Sequence, residues 1–144
     1  IIVQGPNAAG ANGVVYDANR KMLFYTNYGQ GRIRSVDMSA GGNAMPQEVI
    51  TIANAKLDGL LMDACGHLYV VDQGNSRLYR IQLDAAGAPL GAEELLAETQ
   101  KNIANAQFGS GPGFDPMKIY ATGNPGALYS IDVGVPGAPV PVPQ

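Results

Sequence analysis

Short runs of apolar, β-branched and aromatic residues recur along the chain and are separated by turn residues. Three pairs of such runs look alike, at 23–27 and 32–37, at 68–72 and 77–81, and at 119–122 and 128–132. Gly and Asn residues join the two runs of each pair, which is the sequence signal of a β-hairpin. The first two hairpins lie about 45 residues apart and the third follows after about 50, so the chain contains an internal repeat.

Each repeat also contains strand-like runs outside its hairpin. An apolar run precedes each hairpin and another follows the first, at 14–16, 60–62, 106–108 and 48–52. Four strands in about 45 residues is the period of a propeller blade. The sequence therefore predicts an all-β fold, a β-propeller with three four-stranded blades. A β-sandwich built from similar strands is the alternative, although it would not require the repeat.

The repeat also predicts how the chain is divided. We expect blades at approximately 10–53, 56–100 and 103–135, which make a half propeller over 1–135, followed by a Pro-rich tail over 136–144. Residues 92–99 have a helical composition at the place where the repeat requires a fourth strand. Because pairing with a neighbouring strand can override such a preference, we predict a strand there. The tail is predicted to be extended, since Pro blocks the hydrogen bonds of a sheet.

Composition and charge exclude several classes of protein. The 144 residues include 9 basic and 12 acidic ones, which gives no basic surface for nucleic acid. No apolar stretch approaches the roughly 20 residues of a membrane-spanning helix. The single Cys cannot form an internal disulfide, so the compartment stays unknown. The first residues include neither an initiator Met nor a signal peptide, which we interpret as an excerpt of a longer chain or a processed product.

Two dipeptides occupy the same place in successive repeats. Asn12-Gly13 precedes the first apolar run of one repeat, and Asp58-Gly59 precedes that of the next. In a propeller the following strand borders the central channel, so an amide oxygen and a carboxylate would point to one spot. These are hard oxygen donors that suit Ca²⁺, Mg²⁺ or Mn²⁺. The alternative is that both dipeptides only form turns, because Asn-Gly and Asp-Gly tolerate a left-handed backbone.

Other polar residues receive structural interpretations. Cys65 and His67 lie in one predicted turn, without the partners that a nucleophile or a metal ligand would need. Arg32 and Arg77 recur after the hairpin turns and are predicted to form salt bridges within or between blades.

Several motifs together resemble the SMP-30/gluconolactonase/regucalcin-like family. They are Asn12-Gly13-Val14, the segment 57–70, Phe108-Gly109 and the segment 119–122, in the order and approximate spacing of the family. The resemblance implies a six-bladed propeller of which this chain is the C-terminal half. It implies that Asn12 and Asp58 bind one divalent metal and that Asp58 also acts as the catalytic acid or base. Val14, Leu57 and Ser110 depart mildly from the family pattern.

The resemblance also implies an activity. Members open a sugar lactone or a similar ester by attack of water, with Ca²⁺ as the first candidate metal and Zn²⁺, Mn²⁺ or Mg²⁺ as alternatives. A third metal ligand, a Glu, and the substrate-binding residues would lie in the half that is absent here, so the substrate-binding residues of this chain stay unknown. The alternative function is a non-catalytic propeller that serves as a binding or scaffold module.

Three blades cannot close a ring, and the two outer blade faces would remain exposed as apolar surface. We therefore expect a partner, which is either the other half of the propeller or a second copy of this chain. A two-fold dimer would bring two Asn12/Asp58 pairs to one channel. The isolated chain is expected to be inactive and not to be a stable monomer.

Overall fold

The computed structural model describes residues 1–39 and 45–139, and these residues form eleven β-strands in three antiparallel sheets. The sheets are numbered as blades 1 to 3 in chain order. Blade 1 contains β1 (Ala11–Asp17), β2 (Met22–Asn27), β3 (Arg32–Asp37) and β4 (Gln47–Thr51). Blade 2 contains β5 (Leu57–Met62), β6 (Leu68–Asp72), β7 (Arg77–Ile81) and β8 (Glu94–Glu98). Blade 3 contains β9 (Asn105–Phe108), β10 (Lys118–Gly123) and β11 (Ala127–Asp132).

Each blade is an up-and-down meander in which consecutive strands pair, and the first strands β1, β5 and β9 lie side by side. The predicted all-β propeller fold is confirmed. The strand count differs in one place, because blade 3 has three strands in the described residues and not the predicted four. After β11 the chain leaves the sheet, since Val133 N–H donates to the carbonyl of Met117 and the following residues run toward blade 2.

The segment with helical composition forms strand β8, as the repeat predicts. β8 pairs with β7, with Ala97 opposite Leu78, and Leu96 and Ala97 pack on the core between blades 2 and 3. Burial against the neighbouring blade therefore decides the local structure here, and not helix propensity.

Two apolar cores lie between the blades. The first joins blades 1 and 2 and contains Phe24, Ile33, Leu57 and Leu68 among its buried members. The second joins blades 2 and 3 and has Tyr69 at its centre, edge-on to a second aromatic ring. Blade 2 is covered on both faces, so every residue of its strand β6 is buried.

The last described residues form a strap across the end of blade 2. Ala64 N–H donates to the carbonyl of Pro136 at 2.9 Å, and Ala138 N–H donates to the carbonyl of Met62 at 2.9 Å. This part of the predicted tail is extended and hydrogen-bonded to blade 2, and residues 140–144 lie outside the described residues. No helix in the described ranges is long and apolar enough to cross a membrane.

Candidate functional site

Asn12 and Asp58 lie at matching irregularities of neighbouring strands. In blade 1 the pairing of β1 with β2 shifts between Ala11 and Val14, so that Asn12 and Gly13 together lie opposite one residue of β2. The pairing of β5 with β6 shifts in the same way between Leu57 and Leu60. Such β-bulges redirect side chains and are frequent beside functional sites.

The backbone at these bulges is not that of a left-handed turn. Asn12, Asp58 and the glycine after each lie within strands, and none of the four has a positive φ. The glycines are required for close approach between blades. A Cβ on Gly13 would lie 2.3 Å from the carbonyl oxygen of Asp58, and one on Gly59 would lie 2.9 Å from Oδ1 of Asn105. Gly13 therefore packs directly on the backbone of Asp58, which makes the two bulges neighbours.

Thr26 joins the two bulges, and the sequence analysis did not single it out. Its side chain is fully buried, its Oγ1 accepts the N–H of Gly13 at 2.8 Å, and its hydroxyl donates to the carbonyl of Asp58 at 3.0 Å. Val71 occupies the same register in blade 2 and has no hydroxyl. A buried Thr among apolar strand residues was the available signal, although a β-branched residue is ordinary in a strand.

The carboxylate of Asp58 has no compensating partner in the described part of the chain. It is partly buried, and this burial raises its pKa above the ordinary value. No hydrogen bond or salt bridge to its carboxylate is found among residues 1–39 and 45–139, and the exposed amide of Asn12 is likewise free there of hydrogen bonds. A desolvated carboxylate beside a free amide suits a cation, because the cation would supply the missing charge partner.

The donor set of this chain at the bulges is small. The equivalent position of blade 3 is Ala104, which carries no donor, although its carbonyl accepts the N–H of Gly59 at 3.1 Å. Within the described ranges no group of three or more His, Cys, Asp or Glu side chains could hold a metal. Asn12 and Asp58 therefore fit two positions of an oxygen-ligated divalent cation, and further ligands would come from outside these blades.

The remaining polar residues have structural contacts. Nδ1 of His67 accepts the N–H of Leu83 at 3.1 Å, and Cys65 is exposed in the same turn. Arg32 pairs with Glu48 and Arg77 with Glu98, which confirms the predicted salt bridges and places them within single blades.

Solved structures with the same architecture include several propeller proteins. A luciferin-regenerating enzyme matches with a TM-score of 0.71 and 21% identity, over 88% of this chain and 46% of that one. A gluconolactonase from Xanthomonas campestris matches with a TM-score of 0.62 and 17% identity, over 90% and 38%. Regucalcin from Agrobacterium tumefaciens, described as a calcium-binding protein, matches with a TM-score of 0.61 and 16% identity, over 88% and 46%.

The chain has the fold of SMP-30/gluconolactonase-like propellers. The resemblance expected from the motifs is thus confirmed at the level of structure. The propeller blades described here span less than half the length of each of these structures. No protein-family model matches the sequence, and no curated protein does so either.

Proposed function

We propose that this chain supplies part of the site of a divalent-metal-dependent hydrolase of the gluconolactonase type. The reaction would open a sugar lactone or a similar ester by attack of water. One observation carries the proposal: Asp58, a partly buried carboxylate without a partner in the described chain, lies at a bulge that packs on the bulge of Asn12. The likeness in fold to a gluconolactonase and to the calcium-binding regucalcin supports this assignment.

Asn12 and Asp58 would hold the metal through their side-chain oxygens, with Ca²⁺ as the first candidate and Zn²⁺, Mn²⁺ or Mg²⁺ as alternatives. When bound, a divalent cation polarises the carbonyl of an ester and stabilises the negative charge that develops on its oxygen. Asn12 is neutral, so its amide can bind or orient and cannot transfer a proton. Asp58 can bind the cation or accept a proton from the attacking water, and its position beside a cation favours the binding role.

The remaining parts of the site would lie outside this chain. Two oxygen donors are too few for a calcium ion, which takes 6–8 oxygen ligands. Since similar structures are more than twice as long, the missing ligands and the groups that hold the substrate have room in a second set of blades. The chain alone would then bind a cation weakly and catalyse nothing.

Calorimetric titration of Ca²⁺ and Mn²⁺ into the chain tests the proposal. We expect one weak site that Asp58→Asn reduces at least tenfold in affinity, because the substitution removes the only carboxylate of the site and conserves its shape. Asp132→Asn is the matched control, since it removes one carboxylate at the opposite end of blade 3 and should leave the affinity unchanged.

Two results would count against the metal site. Equal affinity of the wild-type chain and the Asp58→Asn variant would remove the assignment of Asp58. Absence of any binding to the wild-type chain would favour the alternative function, a non-catalytic propeller that serves as a binding or scaffold module.

A further inference from the structure

The repeat gives every blade two faces that neighbouring blades bury. The front face points to the preceding blade, and the back face points to the following one. In blade 2 the front face packs on blade 1 and is buried, and its members are Leu60, Met62, Leu68 and Val70. The residues in the same register of blade 1 are Val14, Tyr16, Leu23 and Tyr25. The front face of blade 1 therefore carries large apolar side chains at each of these positions, although no blade of this chain precedes it.

The front face of blade 1 is open in the described structure. Val14 is 59% exposed and Tyr16 is 42% exposed, whereas their counterparts Leu60 and Met62 are below 10%. This face borders a cavity of about 490 Å³, which Leu23, Tyr25 and the first residues of the chain also line. Its apolar composition is that of an interface between blades and not that of a surface in water.

The back face of blade 3 is open in the same way. In blade 2 this face packs on blade 3 through Tyr69, Val71 and Leu78, all fully buried. The residues in the same register of blade 3 are Tyr120, Thr122 and Leu128. Leu128 is 71% exposed, and Phe114 packs edge-on against Tyr120 and is itself 54% exposed. An apolar face of the back type is thus also left without a following blade.

We propose that a second copy of this chain covers both faces. The front face of each copy would pack on the back face of the other, with the geometry that already joins blades 1, 2 and 3 within one chain. Two copies would give six blades, and a two-fold axis along the channel closes the ring without leaving an open face. The size agrees with the similar structures, because one chain spans 46% of the luciferin-regenerating enzyme.

The ring would place two Asn12/Asp58 pairs at one end of a single channel. Four side-chain oxygen donors would then face each other, two of them from carboxylates. This consequence rests on the proposed function, since it assigns the metal to these residues. The pairing of the faces does not rest on it, because it depends on apolar contacts alone.

Light scattering of the metal-free chain tests the pairing, and two variants of opposite charge make the test specific. The wild-type chain should have twice the chain mass of 15.0 kDa, with no larger species as its concentration rises. Val14→Lys alters the front face and Leu128→Glu alters the back face, so each variant alone has both interfaces of the ring impaired and should have the mass of one chain. An equimolar mixture should recover the dimer, since one interface is unaltered and the other joins opposite charges.

Leu90→Lys is the control, because Leu90 is 64% exposed but lies in the connection between β7 and β8, outside both faces. It should leave the dimer intact, and circular dichroism should show the same sheet content in all variants. A cooperatively folded species of 15.0 kDa, growth into polymers, or a dimer that neither face variant alters would each overturn the proposal. Because metal is absent throughout, these outcomes are independent of whether the metal site is correct.

Discussion

At the scale of single residues, the aspartates of this chain divide by what their carboxylates accept. Asp17, Asp63 and Asp72 are buried, and each accepts hydrogen bonds from backbone N–H groups of the turn or loop beside it. Such bonds stabilise the charged form and hold a turn together. Asp58 has none of these bonds within the described residues, and burial raises its pKa. Its carboxylate therefore has no structural role there, and a ligand is the partner it lacks.

Thr26 is the residue that links this carboxylate to the fold. We predict that Thr26→Val lowers the free energy of unfolding by about 1–3 kcal/mol, because it leaves the N–H of Gly13 and the carbonyl of Asp58 without their buried partner. Urea denaturation measures this loss. Thr26→Ser is the control, since it conserves the hydroxyl, and a Val variant as stable as the Ser variant would show that the bridge contributes nothing.

At the scale of elements, the blades are joined by close backbone contacts and by one arginine. The guanidinium of Arg20 donates to the carbonyls of Asp84 at 2.7 Å and Gly66 at 3.0 Å, and it forms an ion pair with Asp17. This residue therefore joins the loop after β1 to two loops of blade 2. At the other end of the strands, the contact of Gly13 with Asp58 sets the spacing of the candidate site.

A substitution at that contact tests the spacing. Gly13→Ala would place a Cβ 2.3 Å from the carbonyl oxygen of Asp58 and 2.6 Å from the backbone nitrogen of Leu60, so the strands β1 and β5 must separate. We expect a loss of about 1–3 kcal/mol in the free energy of unfolding and a weaker affinity for divalent cations.

Gly29→Ala is the matched control for thermal or urea denaturation. A Cβ on Gly29 meets nothing within 4 Å, and its φ is not positive, so this change should alter the stability by less than about 0.5 kcal/mol. Equal stability of the two variants would contradict the close packing of the bulges.

The elements also show which features a sequence can predict. The alternation of apolar runs and Gly-rich turns predicts the hairpins, because each strand buries side chains against a neighbouring blade. It predicts strand β8 as well, where the local composition alone would suggest a helix. The pairing of residues 136–138 with blade 2 was not predicted, since Pro-rich sequence carries no signal for its partner. The bridge through Thr26 was missed because it depends on contacts between distant residues.

At the scale of the whole molecule, the repeat accounts for both the fold and its incompleteness. Each blade contains the side chains of two interfaces, and the described structure satisfies both only for blade 2. The apolar positions of Val14 and Leu128 follow from the repeat in the same way as the buried positions of Leu60 and Leu78, yet they are exposed. The candidate site has the same character, since Asn12 and Asp58 supply two ligands of a larger set.

The location of a bound metal tests the central claim most directly. Crystals grown with Mn²⁺ would show the ion by its anomalous scattering, without any assumption about the substrate or the reaction. We predict a single strong peak between the side-chain oxygens of Asn12 and Asp58, at the end of the channel where β1 and β5 begin, and no such peak in crystals of the Asp58→Asn variant. A peak bound to other residues, or crystals without a peak at saturating Mn²⁺, would contradict the account.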